Sequence, residues 1–499
     1  MTARTLMVVG TSSSAGKSLL VTALCHYYAR RGVRVAPFKA QNMSNNAAVC
    51  ADGSEIGRAQ ATQALAAGVA PTVEMNPVLI KPEADARSQV IVNGRPWRTL
   101  SAREYYPNRE FLWEQVTGAL DRLRSVYDLV IMEGAGSPVE LNLREGDIVN
   151  MAMAQYAQAP TLLVGDIDRG GIFAQLLGTI WLLLPEERAL LKGLVVNKFR
   201  GDLSLFEGGV RMLEERGGVP VLGVLPYLHD LFVPEEDAVP LENPVLLEGL
   251  SAQVDLAVIR LPRIANFDDF DPLGAEPGVR LRYVDSPSRL GDPDAIILPG
   301  TKSTMDDLGW LRGTGFAQAI QAFAKAGGAV VGICGGYQML GSAIHDPQQV
   351  ESTLVETEGL GLLPVETTFT GEKATYQANA VVRNGPGWLS TLDGNPVLGY
   401  EIHMGRTLSP APWLRIEVRS GQEVCEDDGA INLDGRIWGC YVHGLFANRD
   451  FRRAWLQSLG WKPAAGTEVD LFAHSLTRMA DALEAYMDMA RLDRTIWED

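Results

Sequence analysis

Two doubly wound α/β domains in tandem are the fold class that this sequence predicts. Three observations carry it. Short apolar runs alternate with helix-length stretches through residues 1–232, a second alternation begins at 252, and a proline- and acid-rich stretch separates the two. At 499 residues the chain also exceeds what a single hydrophobic core holds.

The first set of runs is TLMVVG (5–10), VRVAPF (33–38), YDLVIMEG (127–134), PTLLVGDI (160–167), LKGLVVNK (191–198) and VPVLGVLP (219–226). They are apolar along their length rather than alternating, as parallel strands covered on both faces are. Within 233–251 the stretch VPEEDAVPLENPVLLEGL has three prolines and five acidic residues, the composition of a linker. The second set is VDLAVIRLP (254–262), VRLRYVDS (279–286), DAIILPG (294–300), GAVVGIC (328–334), PVLGYEIHMG (396–405) and RIWGCYVHG (436–444). These predict a second α/β domain over 252–450, with 451–499 as its helical extension.

Composition narrows the function classes. Apolar residues make up 46% and charged ones 21%, a globular mix. No apolar run nears the roughly 18–20 residues that span a bilayer, and the first ten residues enter a strand without a basic leader. The formal charge of −17 argues against a nucleic-acid binder. Five irregularly spaced cysteines with no CxxC pair fit a reducing, cytoplasmic setting without a cysteine-rich zinc site. Nothing fixes the oligomeric state or calls for a bound redox cofactor.

Gly10-Thr-Ser-Ser-Ser-Ala-Gly16-Lys17-Ser18 joins the strand TLMVV to the helical SLLVTALCHYYARRG. A glycine-rich turn there aims successive N–H groups and a helix N-terminus at an anion. Lys17 would reach the β/γ-phosphates of ATP, and the Ser18 hydroxyl would hold Mg2+. Five residues rather than four separate the glycines, and Thr11 stands where the first glycine is usual. That spacing resembles the GTxxxxGK[ST] loop of dethiobiotin-synthetase-like ATPases. The resemblance implies that Gly10, Thr11, Gly16, Lys17 and Ser18 bind the nucleotide, that Glu133 of IMEGAG joins Ser18 at the metal, and that Asn197 and Lys198 of VVNKFRGD form the base-recognition strand end. Asp166 and Asp168 of VGDIDRGG lie at a strand end as Glu133 does, and Asp147 of LREGDIVNM could sit near a transferred phosphate. Asp147 with Asp166 would form a carboxylate-activation site; a plain loop acid is the open alternative for each.

In the second half, Gly332-Ile-Cys334-Gly-Gly336 is a G-x-C-x-G elbow at a strand-to-helix junction. Glycines on both sides allow the tight fold that exposes the thiol. The helix N-terminus that follows favours a thiolate. The Gly335 N–H, with one near Gly300, could hold an oxyanion. Of six histidines, His443 in YVHGLF is the candidate base and His403 of GYEIHMG the other one on a strand; His26, His229, His345 and His474 read as structural.

Together these features resemble the class I (triad-type) glutamine amidotransferases, with Cys334 as nucleophile and His443 as base. The glutamate usual two residues after the histidine is replaced by Leu445, so the third partner is missing or supplied elsewhere; Glu401 is the candidate. Cysteine and histidine without that glutamate mark the cobyrinic acid/cobyric acid synthase family. The resemblance to it extends through PFKAQNMSNN (37–46), IMEGAGSPVELNL (131–143), NFDDFDPL (266–273), LPGTKSTMDDL (298–308), GICGGYQMLG (332–341), GYEIHMG (399–405) and YVHGLF (441–446). It implies an ATP-, Mg2+- and L-glutamine-dependent ligase acting on a corrinoid, with ammonia released at Cys334 attacking an acyl phosphate. The implied reaction is amidation of the b, d, e and g carboxylates of adenosylcobyrinic acid a,c-diamide. Two alternatives stand beside it: the a,c-diamide-forming synthase of the same family, and a ParA-like ATPase with a degenerate amidotransferase module that binds a partner.

Overall fold

The structure, a computed structural model, describes residues 2–84, 87–234, 252–383, 385–463 and 470–498. The expected linker lies, from residue 235 onward, outside the described residues.

The six runs of the first half are strands β1 (Arg4–Gly10), β2 (Val35–Phe38), β3 (Leu129–Glu133), β4 (Thr161–Asp166), β5 (Leu191–Phe199) and β6 (Val221–Pro226). They form one parallel sheet in the order β6-β5-β4-β1-β3-β2. The strand order reverses at β1, so a crevice opens at its carboxyl end, where such sheets bind ligands. Helix α1 (Lys17–Arg30) starts there. Between β2 and β3 the chain leaves this sheet for a small one built from Gln41–Met43, Val78–Ala84, Arg87–Val92 and Arg95–Leu100, and for helix α2 (Arg58–Ala66).

Five of the second set of runs are strands β7 (Val254–Ile259), β8 (Val279–Val284), β9 (Ala295–Leu298), β10 (Ala329–Ile333) and, after the two-residue β11 (Ala430–Ile431), β12 (Ile437–Cys440). The order is β8-β7-β9-β10-β12-β11, parallel except for β11. The sixth run is placed differently. Residues 396–405 belong to strand Pro396–Leu408, which pairs antiparallel with the 17-residue strand Glu366–Val382 in a separate sheet. Its polar–apolar alternation suits a sheet with one covered face, not the doubly wound core.

The tail also departs from expectation. Helix Arg449–Ser458 puts Phe451, Trp455 and Leu456 into the second domain's core. The two last helices, α4 (Leu471–Tyr486) and α5 (Met489–Trp497), instead cover the first domain. Leu476, Met479, Leu483, Leu492 and Ile496 pack there with Leu20, Leu24 and Tyr28 of α1. Tyr28 Oη donates to Asp493 at 3.0 Å. Amphipathic spacing specifies an apolar stripe but not which core it closes.

The two domains meet across an apolar cluster in which Ala47, Val49, Leu79 and Ile91 of the first touch Tyr400 and Ile402 of the second. Beside it, buried Glu55 accepts from Lys81 Nζ at 2.6 Å and, across the interface, from Lys373 Nζ.

Candidate functional site

Cys334 sits between β10 and α3 (Gly335–Leu340) with φ 52° and ψ −109°. For a residue with a Cβ this conformation costs about 1–3 kcal/mol, the strain of a nucleophile elbow. Its flanking glycines are obligatory: a Cβ on Gly336 would sit 2.0 Å from the Leu298 carbonyl oxygen, and one on Gly332 would sit 2.7 Å from the Gly336 backbone. Cys334 is 7% exposed. Its thiol donates to the Ile402 carbonyl at 3.6 Å.

His443 follows β12 and is buried. Its Nδ1 lies 2.6 Å from Asp269 Oδ2, and the other Asp269 oxygen accepts the Gly444 N–H at 2.8 Å. Burial alone lowers the imidazole's proton affinity. The Asp269 carboxylate and the Cys334 thiolate overcome that and raise it to about 10. The third partner is therefore Asp269, in the turn Phe267–Phe270 that follows β7, at the same carboxyl edge of the sheet as Cys334. The signal was present in NFDDFDPL, but 174 residues separate the pair.

Glu401 does not take this role. Arg419 donates to both of its oxygens, at 2.7 and 2.9 Å, and His403 Nε2 lies 3.3 Å from one of them. On an extended strand Glu401 points away from the face that carries Tyr400 and Ile402. Leu445 is buried in the second domain's core.

Gly300 abuts both His443 and Cys334, since a Cβ there would lie 3.0 Å from His443 Cε1 and 3.8 Å from Cys334 Cβ. Gly335 is the first residue of α3, so its N–H has no intrahelical acceptor and can receive an oxyanion. The cavity onto which Cys334 opens is also lined by Lys302, Glu351, Lys373 and His403, with Lys81 and Glu83 from the first domain. Lys302 Nζ pairs with Glu83 at 2.9 Å. Burial pushes the Glu351 carboxyl up to about 8.

At the other site Gly16 has φ 95°, and a Cβ there would lie 2.2 Å from Asn197 Nδ2. Asn197 Nδ2 donates to the Ala15 carbonyl at 3.0 Å. Lys198 Nζ bonds the Ser14 carbonyl at 2.8 Å and Asp166 at 2.9 Å. The end of β5 thus braces the glycine-rich loop. Thr11 Oγ1 donates to Gln175 at 3.0 Å, and a Cβ on Gly10 would crowd the Lys17 stem at 3.0 Å. Lys17 is 3% exposed, with Nζ donating to Ser12 and Gly136 carbonyls at 2.8 and 3.1 Å.

Glu133, at the end of β3, receives the Ser18 hydroxyl at 2.8 Å, Lys39 at 3.0 Å and Gln63 at 2.6 Å. Burial opposes its charge, but Lys39, Gln63 and Ser18 together hold the carboxyl below its usual range. The other loop acids separate. Asp166 reaches the nucleotide loop through Lys198. Asp168 pairs with Arg200 at 2.7 Å. Asp147 spends both oxygens on the N–H groups of Val149, Asn150 and Ala152, at 2.9, 2.9 and 3.2 Å, starting the helix Met151–Ala157.

The chain matches two domain families: the CobQ/CobB/MinD/ParA nucleotide binding domain over residues 6–241 and the CobB/CobQ-like glutamine amidotransferase domain over 255–451. It is 58% identical over 498 residues to the cobyric acid synthase of Chloroflexus aurantiacus, covering 99% of both chains. It is 58% identical over 490 residues to that of Roseiflexus castenholzii, covering 97% of this chain and 98% of the relative. Identity to that of Herpetosiphon aurantiacus is 54%, covering 100% and 99%.

Proposed function

The chain belongs to the cobyric acid synthase family, and from that premise we propose a division of labour between its two sites. The protein is a glutamine-dependent ligase that forms amides in cobalamin biosynthesis. The observation that carries the residue-level reading is the line Cys334–His443–Asp269 in a domain docked on a glycine-rich nucleotide loop.

In the second domain the Cys334 thiolate attacks the side-chain amide carbon of glutamine. The Gly335 N–H and an N–H beside Gly300 receive the oxyanion. Held by Asp269, the His443 imidazolium donates its proton to the departing nitrogen, which leaves as ammonia. Water, deprotonated by His443, then cleaves the thioester to glutamate and restores the thiol. A lining with Lys302, Lys373 and Glu83 suits the two charges of an α-amino acid.

In the first domain Lys17, the N–H groups of the loop and the start of α1 face the ATP phosphates, with Asn197 and Lys198 bracing the loop. The Ser18 hydroxyl and Glu133, 2.8 Å apart, are the oxygen donors that would hold a magnesium ion, which would neutralise phosphate charge. Lys17 holds the γ-phosphate as it passes to a substrate carboxylate, giving an acyl phosphate and ADP. Ammonia displaces the phosphate and leaves an amide. Asp166, fixed by Lys198, and Asp147 are the two candidates for the carboxylate-activation site. The substrate reading is the corrinoid a,c-diamide, amidated at b, d, e and g.

The test is Cys334→Ser in the full chain. Glutamine-dependent amidation should vanish while ammonium salts still support it. Glutamine-dependent product at the wild-type rate would overturn the assignment, and mass analysis of the product separates the a,c-diamide from the later amides.

A further inference from the structure

We propose that Arg58, a residue of the first domain, is a positioning residue for glutamine hydrolysis in the second, through its grip on both neighbours of His443. This rests on reading Cys334, His443 and Asp269 as the glutaminase. Arg58 is the first residue of α2, and its side chain crosses the interface with 16% exposure. Its Nε lies 2.9 Å from Asp268 Oδ2, and Asp268 directly precedes the aspartate that holds His443. The guanidinium also donates to the Tyr400 hydroxyl and lies over that ring, 5.1 Å from its centroid.

Tyr400 is itself bound to the base. Its ring stacks on the His443 ring at 5.3 Å and 16°, and the two backbones exchange N–H···O bonds of 2.9 and 3.2 Å. One cation therefore fixes the turn that presents Asp269 and the ring that backs the imidazole. Asn266, at the start of the same turn with φ 50°, adds a second tie: its Oδ1 accepts the Ala47 N–H of the first domain at 3.1 Å.

Two buried carboxylates, Asp268 and Asp269, sit side by side here. Without Arg58 the Asp268 charge would be stranded next to the one His443 needs, and buried charges in that state move or neutralise. Arg58 does not line the cavity that holds the thiol, so its effect falls on the base and not on glutamine binding.

The other end of α2 explains why the first domain supplies this residue. Gln63, five positions on and about 7.5 Å along the helix, donates to Glu133 at 2.6 Å. A single buried helix thus touches the metal-site glutamate with one side chain and the glutaminase turn with another.

The experiment measures kcat and KM for glutamate release from glutamine in full-length Arg58→Met, Arg58→Lys, Asp268→Asn and the Arg58→Met/Asp268→Asn double variant, with Cys334→Ser as the baseline. Arg58→Met should lower kcat about 10- to 100-fold with KM within about threefold, the loss of one charged, buried hydrogen-bonded pair. Arg58→Lys should recover part of the loss. The double variant should fall less than the product of the singles, because a neutral amide in place of the Asp268 carboxylate leaves no stranded charge. A kcat within twofold of wild type in Arg58→Met overturns the proposal. So does a lowered melting temperature with unchanged kcat, or losses that simply multiply. Glutamate release by Cys334→Ser at the wild-type rate would instead sink the glutaminase reading on which the proposal stands.

Discussion

Asp269→Asn is the sharpest probe of how the base is built. The substitution keeps the side chain's shape and an oxygen for the Gly444 N–H, but removes the charge 2.6 Å from His443 Nδ1. In the native site the imidazolium is favoured from an ordinary 6.5 to about 10. Loss of a charged, buried hydrogen bond costs about 2–3 kcal/mol, so kcat should fall about 30- to 150-fold. Loss of tautomer control would deepen this. The assay is glutamate release by the full chain across pH 6–11. In the proposed mechanism His443 is the acid in ammonia departure, so wild-type activity should persist until pH approaches about 10 and then decline. In the variant the alkaline decline should move down toward the ordinary imidazole range. Cys334, Asp268 and Tyr400 stand around the same ring, with Arg58 behind Asp268 and Tyr400, and all remain in place. A kcat within threefold of wild type, with an unmoved alkaline limb, would refute Asp269 as the partner.

Lys17→Met should lower ATP-dependent amidation by about 10²- to 10³-fold, the scale of losing a preorganised charge at a transferring phosphoryl group, while glutamate release at Cys334 continues; parallel loss of both would show that Lys17 also supports the other domain. Gly336→Ala should destabilise the chain by about 3 kcal/mol or more, because its Cβ meets the Leu298 carbonyl at 2.0 Å; an unchanged urea midpoint would contradict the elbow geometry. Glu55 gives a pH prediction. Burial pushes its carboxyl up, but Lys373 and Lys81 bring it to about 2 from 4.5. A depressed acid stabilises above its unfolded value, so on the order of 3 kcal/mol should be lost as pH falls from 4.5 toward 2. Glu55→Gln should remove that part of the acid slope in urea melts.

The strands of both doubly wound sheets were legible because parallel strands buried on two faces read as continuous apolar runs. The two loops were legible because steric demands at Gly16 and Gly336 leave a fixed glycine pattern around one lysine and one cysteine. Asp269 was not. It meets His443 only because β7 and β12 end at the same sheet edge, a fact of topology that no local pattern contains. The choice of Glu401 failed for a related reason: proximity to a motif says nothing about which face of a strand a side chain takes, and Glu401 faces Arg419. Helices α4 and α5 showed their apolar stripes plainly, yet the partner surface on α1 lies more than 400 residues earlier.

That return of the chain to its starting domain has a mechanical consequence. The amidotransferase is topologically an insertion, moored at two points rather than trailing from one. Two moorings keep the faces at high local concentration, so the contact between them need not be adhesive to persist. It can be built from groups that hold poorly but discriminate well, such as the Glu55 ion cluster and the Arg58–Asp268 pair. The seam is free to serve as an alignment gauge, with cohesion left to the chain.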